Sequence, residues 1–170
     1  MYKGTSFVKR TRGNKIDIQM WVKPEGKDGL LFWVGKEQHS AFSDFLSVGF
    51  VDSLLQFRYN LGSGEVTISY NATNFFDGGW HFIRMQRDKQ DGYLLVDNQY
   101  VVEGSSPGVF VSLNTDKKVY IGGMPDIVHH TRRRFKNGFK GCITDVTLGT
   151  DMKLDLINEA DVGQNVWQCS

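Results

Sequence analysis

The chain has 170 residues, 40% of them hydrophobic, with 12 Phe, 6 Tyr and 4 Trp, and 19 Gly against only 3 Pro. That length suits one domain with a sizeable core, and the aromatic-rich, turn-rich composition favours an all-β fold. A formal net charge of +1 leaves no global field for nucleic acid, and no apolar run approaches the roughly 18 residues that span a bilayer.

The opening MYKGTSFVKRTRGNK lacks the apolar core of a signal peptide, so any export signal would lie outside this sequence. Ile16, Ile18 and Met20 then alternate with Asp17, Gln19 and Trp21, which predicts a strand. Residues 23–29 make a turn, and Leu30-Leu31-Phe32-Trp33-Val34 reads as a buried strand. After a polar loop over 35–43, residues 44–64 (DFLSVGFVDSLLQFRYNLGSG) read as a hairpin broken at 51–53 and closed by a turn at 60–64. In that register Asp44 comes level with the closing turn, so one carboxylate faces a turn rich in backbone oxygens at a sheet rim.

Val66, Ile68 and Tyr70 extend the meander, and a strand over 80–87 puts His81 on one face with Ile83 and Met85, the position of a satisfied core histidine. Asp97-Asn98 is a two-residue hairpin turn between strands at 92–96 and 99–103. Strands are predicted at 109–114 and 118–123 around a corner holding Asp116, then a loop over 124–137, a last strong strand at 139–148 and a mixed tail. Strand spacings of this kind, with no sustained helical period, indicate a β-sandwich.

Catalysis finds little support. The nearest carboxylate pair, Glu159 and Asp161, lies in the polar tail, His39-Ser40 has no third partner, and there is no nucleophile elbow or phosphate loop. Asp44, the 60–64 turn and Asp116 are instead ingredients for a hard cation such as calcium, although aspartates at turns are more often only solvated. His129, His130, Arg132, Arg133, Arg134, Lys136 and Lys140 form a basic run, suited to sulfated or carboxylated glycans because guanidinium forks match such groups. Cys142 and Cys169 are too few for a cysteine-ligated zinc site, so a single disulfide is the natural reading, and the Asn71-Ala72-Thr73 sequon agrees in pointing outside the cytosol.

DGLLFWVG, DFLSVGF, FRYNLGSG, DGGWHFIRMQRD, LLVDN, VYIGGMP and GFKGCITDVTL stand in an order and spacing that resemble a laminin G-like (LNS) domain, over about residues 5–169. The resemblance is closer to the agrin, perlecan, pikachurin and eyes-shut branch than to the neurexins. It implies a two-sheet antiparallel jelly-roll sandwich over residues 5–170, with 1–4 as flanking linker, and a disulfide between Cys142 and Cys169. It further implies a Ca2+ site at one rim, formed by Asp44, the Leu61 carbonyl, the Asn114 carbonyl and the Asp116 side chain. An alternative register uses the Asn114 side chain and the Ser112 carbonyl. By the same resemblance the chain is an extracellular, non-enzymatic matrix module that binds acidic glycans, either heparan sulfate or the glucuronate-containing glycan of dystroglycan. A protein-adhesion module, or a steroid-type binder with a pocket between the sheets, is the alternative.

Overall fold

The computed structural model describes residues 10–36, 43–116 and 118–169. His39-Ser40, Lys117 and both expected domain limits lie outside them. Eleven strands are formed among the described residues: β1 Lys15–Pro24, β2 Gly29–Gly35, β3 Phe45–Val51, β4 Leu54–Asn60, β5 Glu65–Asn71, β6 His81–Asp88, β7 Asp91–Val96, β8 Tyr100–Ser105, β9 Val119–Ile121, β10 Gly141–Leu148 and β11 Met152–Lys153. They build a six-stranded sheet, β11-β10-β1-β6-β7-β8, and a five-stranded sheet, β5-β4-β3-β2-β9, with every ladder antiparallel.

The period-2 patterns choose the faces. Ile16, Ile18, Met20 and Val22 of β1 and Ile83 and Met85 of β6 meet Phe32, Val48, Phe50, Phe57 and Tyr59 of the other sheet in one closely filled core. This inter-sheet space is packed with side chains, which counts against a steroid-type pocket. A cavity of about 810 Å³ lies instead by Lys15, Asp17, Gln86, Asp88 and Tyr93, at one end of the six-stranded sheet.

Two of the hairpin turns carry left-handed residues, Asp52 and Ser53 (φ 47° and 67°) in the two-residue β3–β4 turn, and Asp97 and Asn98 (φ 49° and 55°) in the β7–β8 turn, which runs over residues 97–99 and is one residue longer than expected. Such turns match the right-handed twist of the strands they join. Asp28 steadies the first by accepting the Asp52 amide at 2.8 Å.

Two expectations need correction. Residues 109–114 do not form a strand; the segment makes an isolated bridge, Leu113 with Gly13, outside both sheets. Its Val111 carbonyl accepts from the Arg87 guanidinium, and just before the segment the Gly108 carbonyl accepts from the Gln90 side chain. The loop over 124–137 contains a short helix, α1 (Ile127–His130), and packs Phe135 with Leu30, Trp33 and Phe45 on the outer side of the five-stranded sheet. Gly49 permits this approach, since a Cβ there would lie 2.5 Å from the Phe135 ring. That cover explains why β2, and β3 from Phe45 to Phe50, are buried on both faces.

Candidate functional site

Asp44 immediately precedes β3, whose first residue, Phe45, pairs with the last of β4, Asn60. The next step outward sets Asp44 against the turn after β4. There the Asn60 side-chain oxygen accepts the amides of Gly62 (2.8 Å) and Gly64 (3.3 Å), folding the turn back on itself. Gly62 has φ 106°, and a Cβ at that position would stand 3.4 Å from Asp44 Oδ1. The other carboxylate oxygen accepts the Asn114 amide at 2.7 Å. Segments 44, 62 and 114, far apart in sequence, therefore meet around one carboxylate. Asp44 is only 8% exposed, and this burial pushes its pKa up against the opposing effects of the Asn114 amide, Lys36 and Arg87.

Asp116 stands one strand further along. Its amide donates to the Gly35 carbonyl at 3.2 Å, at the end of β2, while Lys36 donates to the Asp44 carbonyl at 3.3 Å. The Asn114 backbone thus lies directly on Asp44, with Asp116 set beside it.

Two arginines not singled out in the sequence reading tie this rim together. Arg87 is 2% exposed and donates to the carbonyls of Gly13, Asn14, Lys89 and Val111. Arg12 donates to the Thr115 carbonyl. The signal for Arg87 was present: it follows His81, Ile83 and Met85 in the inward phase of β6, where a charge is out of place unless it has a task. Burial pulls its pKa down, opposed by Tyr59 and Asp44.

The basic loop divides by role. Arg133, Lys136 and Lys140 are exposed. Arg134 is committed: its guanidinium is a fork on Glu65, with Nε 3.0 Å from Oε2, and lies 4.4 Å over the Phe45 ring. Glu65 also pairs with Arg58 at 3.3 Å. Arg132 is half-buried, with its pKa drawn down first by burial and then by Arg134. A run that reads as five free cations is therefore mixed, because the compensating acid lies 69 residues away from Arg134. The same contacts bring the loop next to the rim, since Phe45 and Glu65 both pair with Asn60.

Cys142 and Cys169 form the expected disulfide. Asn71 is exposed at the end of β5, and its side-chain oxygen accepts the Thr73 amide at 3.2 Å. His81 is a satisfied core residue, as expected: its ring contacts Asp97 at 2.9 Å and Asp77 at 3.0 Å and stacks on Phe75 at 4.2 Å. Among the described residues there is no cluster of three or more His, Cys, Asp or Glu that could hold a metal.

The Laminin G domain profile matches residues 22–151. Human pikachurin is 40% identical over 168 residues, covering 99% of this chain. The mouse basement membrane-specific heparan sulfate proteoglycan core protein is 38% identical over 175 residues, covering 98% of the chain. The chain spans only 16% of the first and 5% of the second. Domains LG4-5 of the mouse laminin alpha1 chain superpose with a TM-score of 0.73 at 21% identity, over 89% of this chain and 39% of that one. The relatives are extracellular matrix proteins that are not enzymes. Profile, relatives and sandwich agree, and the chain belongs to the laminin G domain family.

Proposed function

We propose that this extracellular module binds acidic glycans on a matrix or cell-surface partner, with calcium held at the Asp44 rim. The observation that carries the reading is the meeting of Asp44, Gly62 and Asn114 around one nearly buried carboxylate. The donors on offer are oxygens, from Asp44, from the carbonyl of Leu61 in the turn and from the 112–116 corner, which suits a hard cation and not zinc. The Asn114 amide that donates to Asp44 brings the 112–116 corner to the carboxylate, and either register, with Asp116 or Asn114 as the side-chain ligand, would draw its oxygens from that corner. A calcium ion held by so few protein groups would keep open positions able to accept a ligand carboxylate. Arg133, Lys136 and Lys140 would add long-range attraction for a polyanion, while Arg134 holds the loop in place. The heparan sulfate chains named for the mouse relative belong to that protein; here a heparan sulfate-type glycan is one member of the proposed ligand class.

Calorimetric titration of calcium into the domain tests the reading. Binding on the order of 10⁻⁴ to 10⁻³ M is expected, as in other extracellular modules. It should disappear in Asp44→Ala, and whichever of Asn114→Ala and Asp116→Asn weakens it more names the side-chain ligand of the corner. Undiminished binding in Asp44→Ala overturns the site.

A further inference from the structure

Val109 and Phe110 are 83% and 54% exposed, an apolar tip at the very edge of the rim. The tip is rigidly mounted. The carbonyl before Gly108, that of Pro107, accepts from Ser63 Oγ at 2.8 Å, the Gly108 carbonyl accepts from Gln90, and the Val111 carbonyl accepts from buried Arg87 at 3.0 Å. Gly108 sits at φ 83°, turning the chain so that the two side chains meet solvent. The Phe110 ring lies 3.5 Å from where a Gly62 Cβ would be, and Asp44 Oδ1 lies 3.4 Å from that same point. An exposed aromatic face and the candidate cation site thus flank one glycine.

We infer that Phe110 is the platform on which one sugar ring of the ligand stacks while the carboxylate of that ring, or of its neighbour, faces the Asp44 rim. This makes a hexuronate the recognised unit, and it rests on the glycan reading above. A pyranose presents a face of weakly positive C–H groups that packs on the negative face of an aromatic ring. A hexuronate joins that face to a carboxylate within one unit, which matches an apolar tip set beside the Asp44 rim, where the proposed ion would sit and Lys36 acts on Asp44. Two side chains bordered by the polar 62–64 turn offer far less apolar area than the roughly 1,200 Å² or more of a stable protein interface, and a sugar ring is the occupant that fits.

The test uses the calcium-loaded domain, a glucuronate-containing oligosaccharide, and the same oligosaccharide with its carboxyl groups reduced. Phe110→Ala and Phe110→Leu should both leave calcium affinity unchanged and weaken the acidic oligosaccharide by about tenfold, whereas Phe110→Trp should retain or improve binding. The reduced oligosaccharide should bind weakly and lose what remains in Phe110→Ala. If both the Ala and Leu variants bind the acidic oligosaccharide like the parent while Asp44→Ala does not, the stacking role is wrong and the rim reading stands. If Asp44→Ala also binds normally, the rim reading fails and takes this inference with it. Loss in the Phe110 variants of binding only to a deglycosylated protein would likewise overturn the sugar assignment, in favour of a protein partner.

Discussion

Asp44 and His81 are both buried ionisable residues at the ends of strands, and both have raised pKa values, Asp44 through burial and His81 through its carboxylate partners. Burial raises the Asp44 pKa, so the cost of keeping its charge is borne by the fold and would be relieved by a cation. Asp44→Ala should accordingly leave the melting temperature within a few degrees of the parent while removing the calcium response, which thermal unfolding with and without calcium would read. For His81, burial alone would lower the pKa, but Asp97 and Asp77 together win and raise it. A raised folded value means that its contribution to stability is fully present below about pH 6.5 and is lost as the pH climbs through the folded value. As the pH rises above about 6.5 the parent should lose stability, whereas His81→Gln should lack that step; parallel pH profiles would remove His81 as its origin. The fate of His81 could be read from strand phase, which put it on the inner face. Its two carboxylate partners could not, since only the β6–β7 turn brings Asp97 back to it.

Strand identity and order are the legible part of this molecule, because alternation reports directly which face is buried. Asp44 opposite the 60–64 turn was legible for the same reason: one hairpin and its register place it. The 109–114 segment was misread because Val109, Val111 and Leu113 alternate as a strand would, while in the fold its Val111 carbonyl receives the Arg87 guanidinium. For the basic loop, a charge run does not by itself reveal a partner on a distant strand. Glu65 is that partner, holding Arg134 at the outer sheet face. Glu65→Gln should loosen residues 124–137, seen as faster amide exchange there with β1 and β6 unchanged, and should leave the loop cations less ordered beside the rim. Equal exchange in parent and variant would mean that Phe135 packing alone secures the loop. Reducing the Cys142–Cys169 bridge, which closes a loop of 27 residues, should cost about 3 to 4 kcal/mol by chain entropy, measurable as a shifted denaturation midpoint.

At the scale of the whole module, the proposed cation and the basic loop should be separable by solution conditions. Salt screens exposed charges over about 8 Å at physiological ionic strength, so heparin binding through Arg133, Lys136 and Lys140 should weaken steeply with salt. A chelator should instead abolish recognition of a carboxylated glycan and leave much of the heparin binding, as a surface assay under both treatments would show. Were a module of this kind part of a longer protein, it would be loaded in tension at its two ends. The disulfide decides how such a load is carried. A pull on β1 enters at Lys15, and β1 runs antiparallel to β10, with Ile18 against Leu148 and Lys23 against Cys142. Were tension to reach β10 from its far end, at Leu148, both forces would act on the same end of the ladder and peel its hydrogen bonds apart one at a time. With Cys169 bonded to Cys142, the force is delivered to the opposite end of β10, and the ladder is loaded in shear, all rungs together. Residues 143–168 then carry no tension at all. In a single-molecule pulling experiment the oxidised module should rupture at markedly higher force than the reduced one, and should extend less by the length of that sheltered segment.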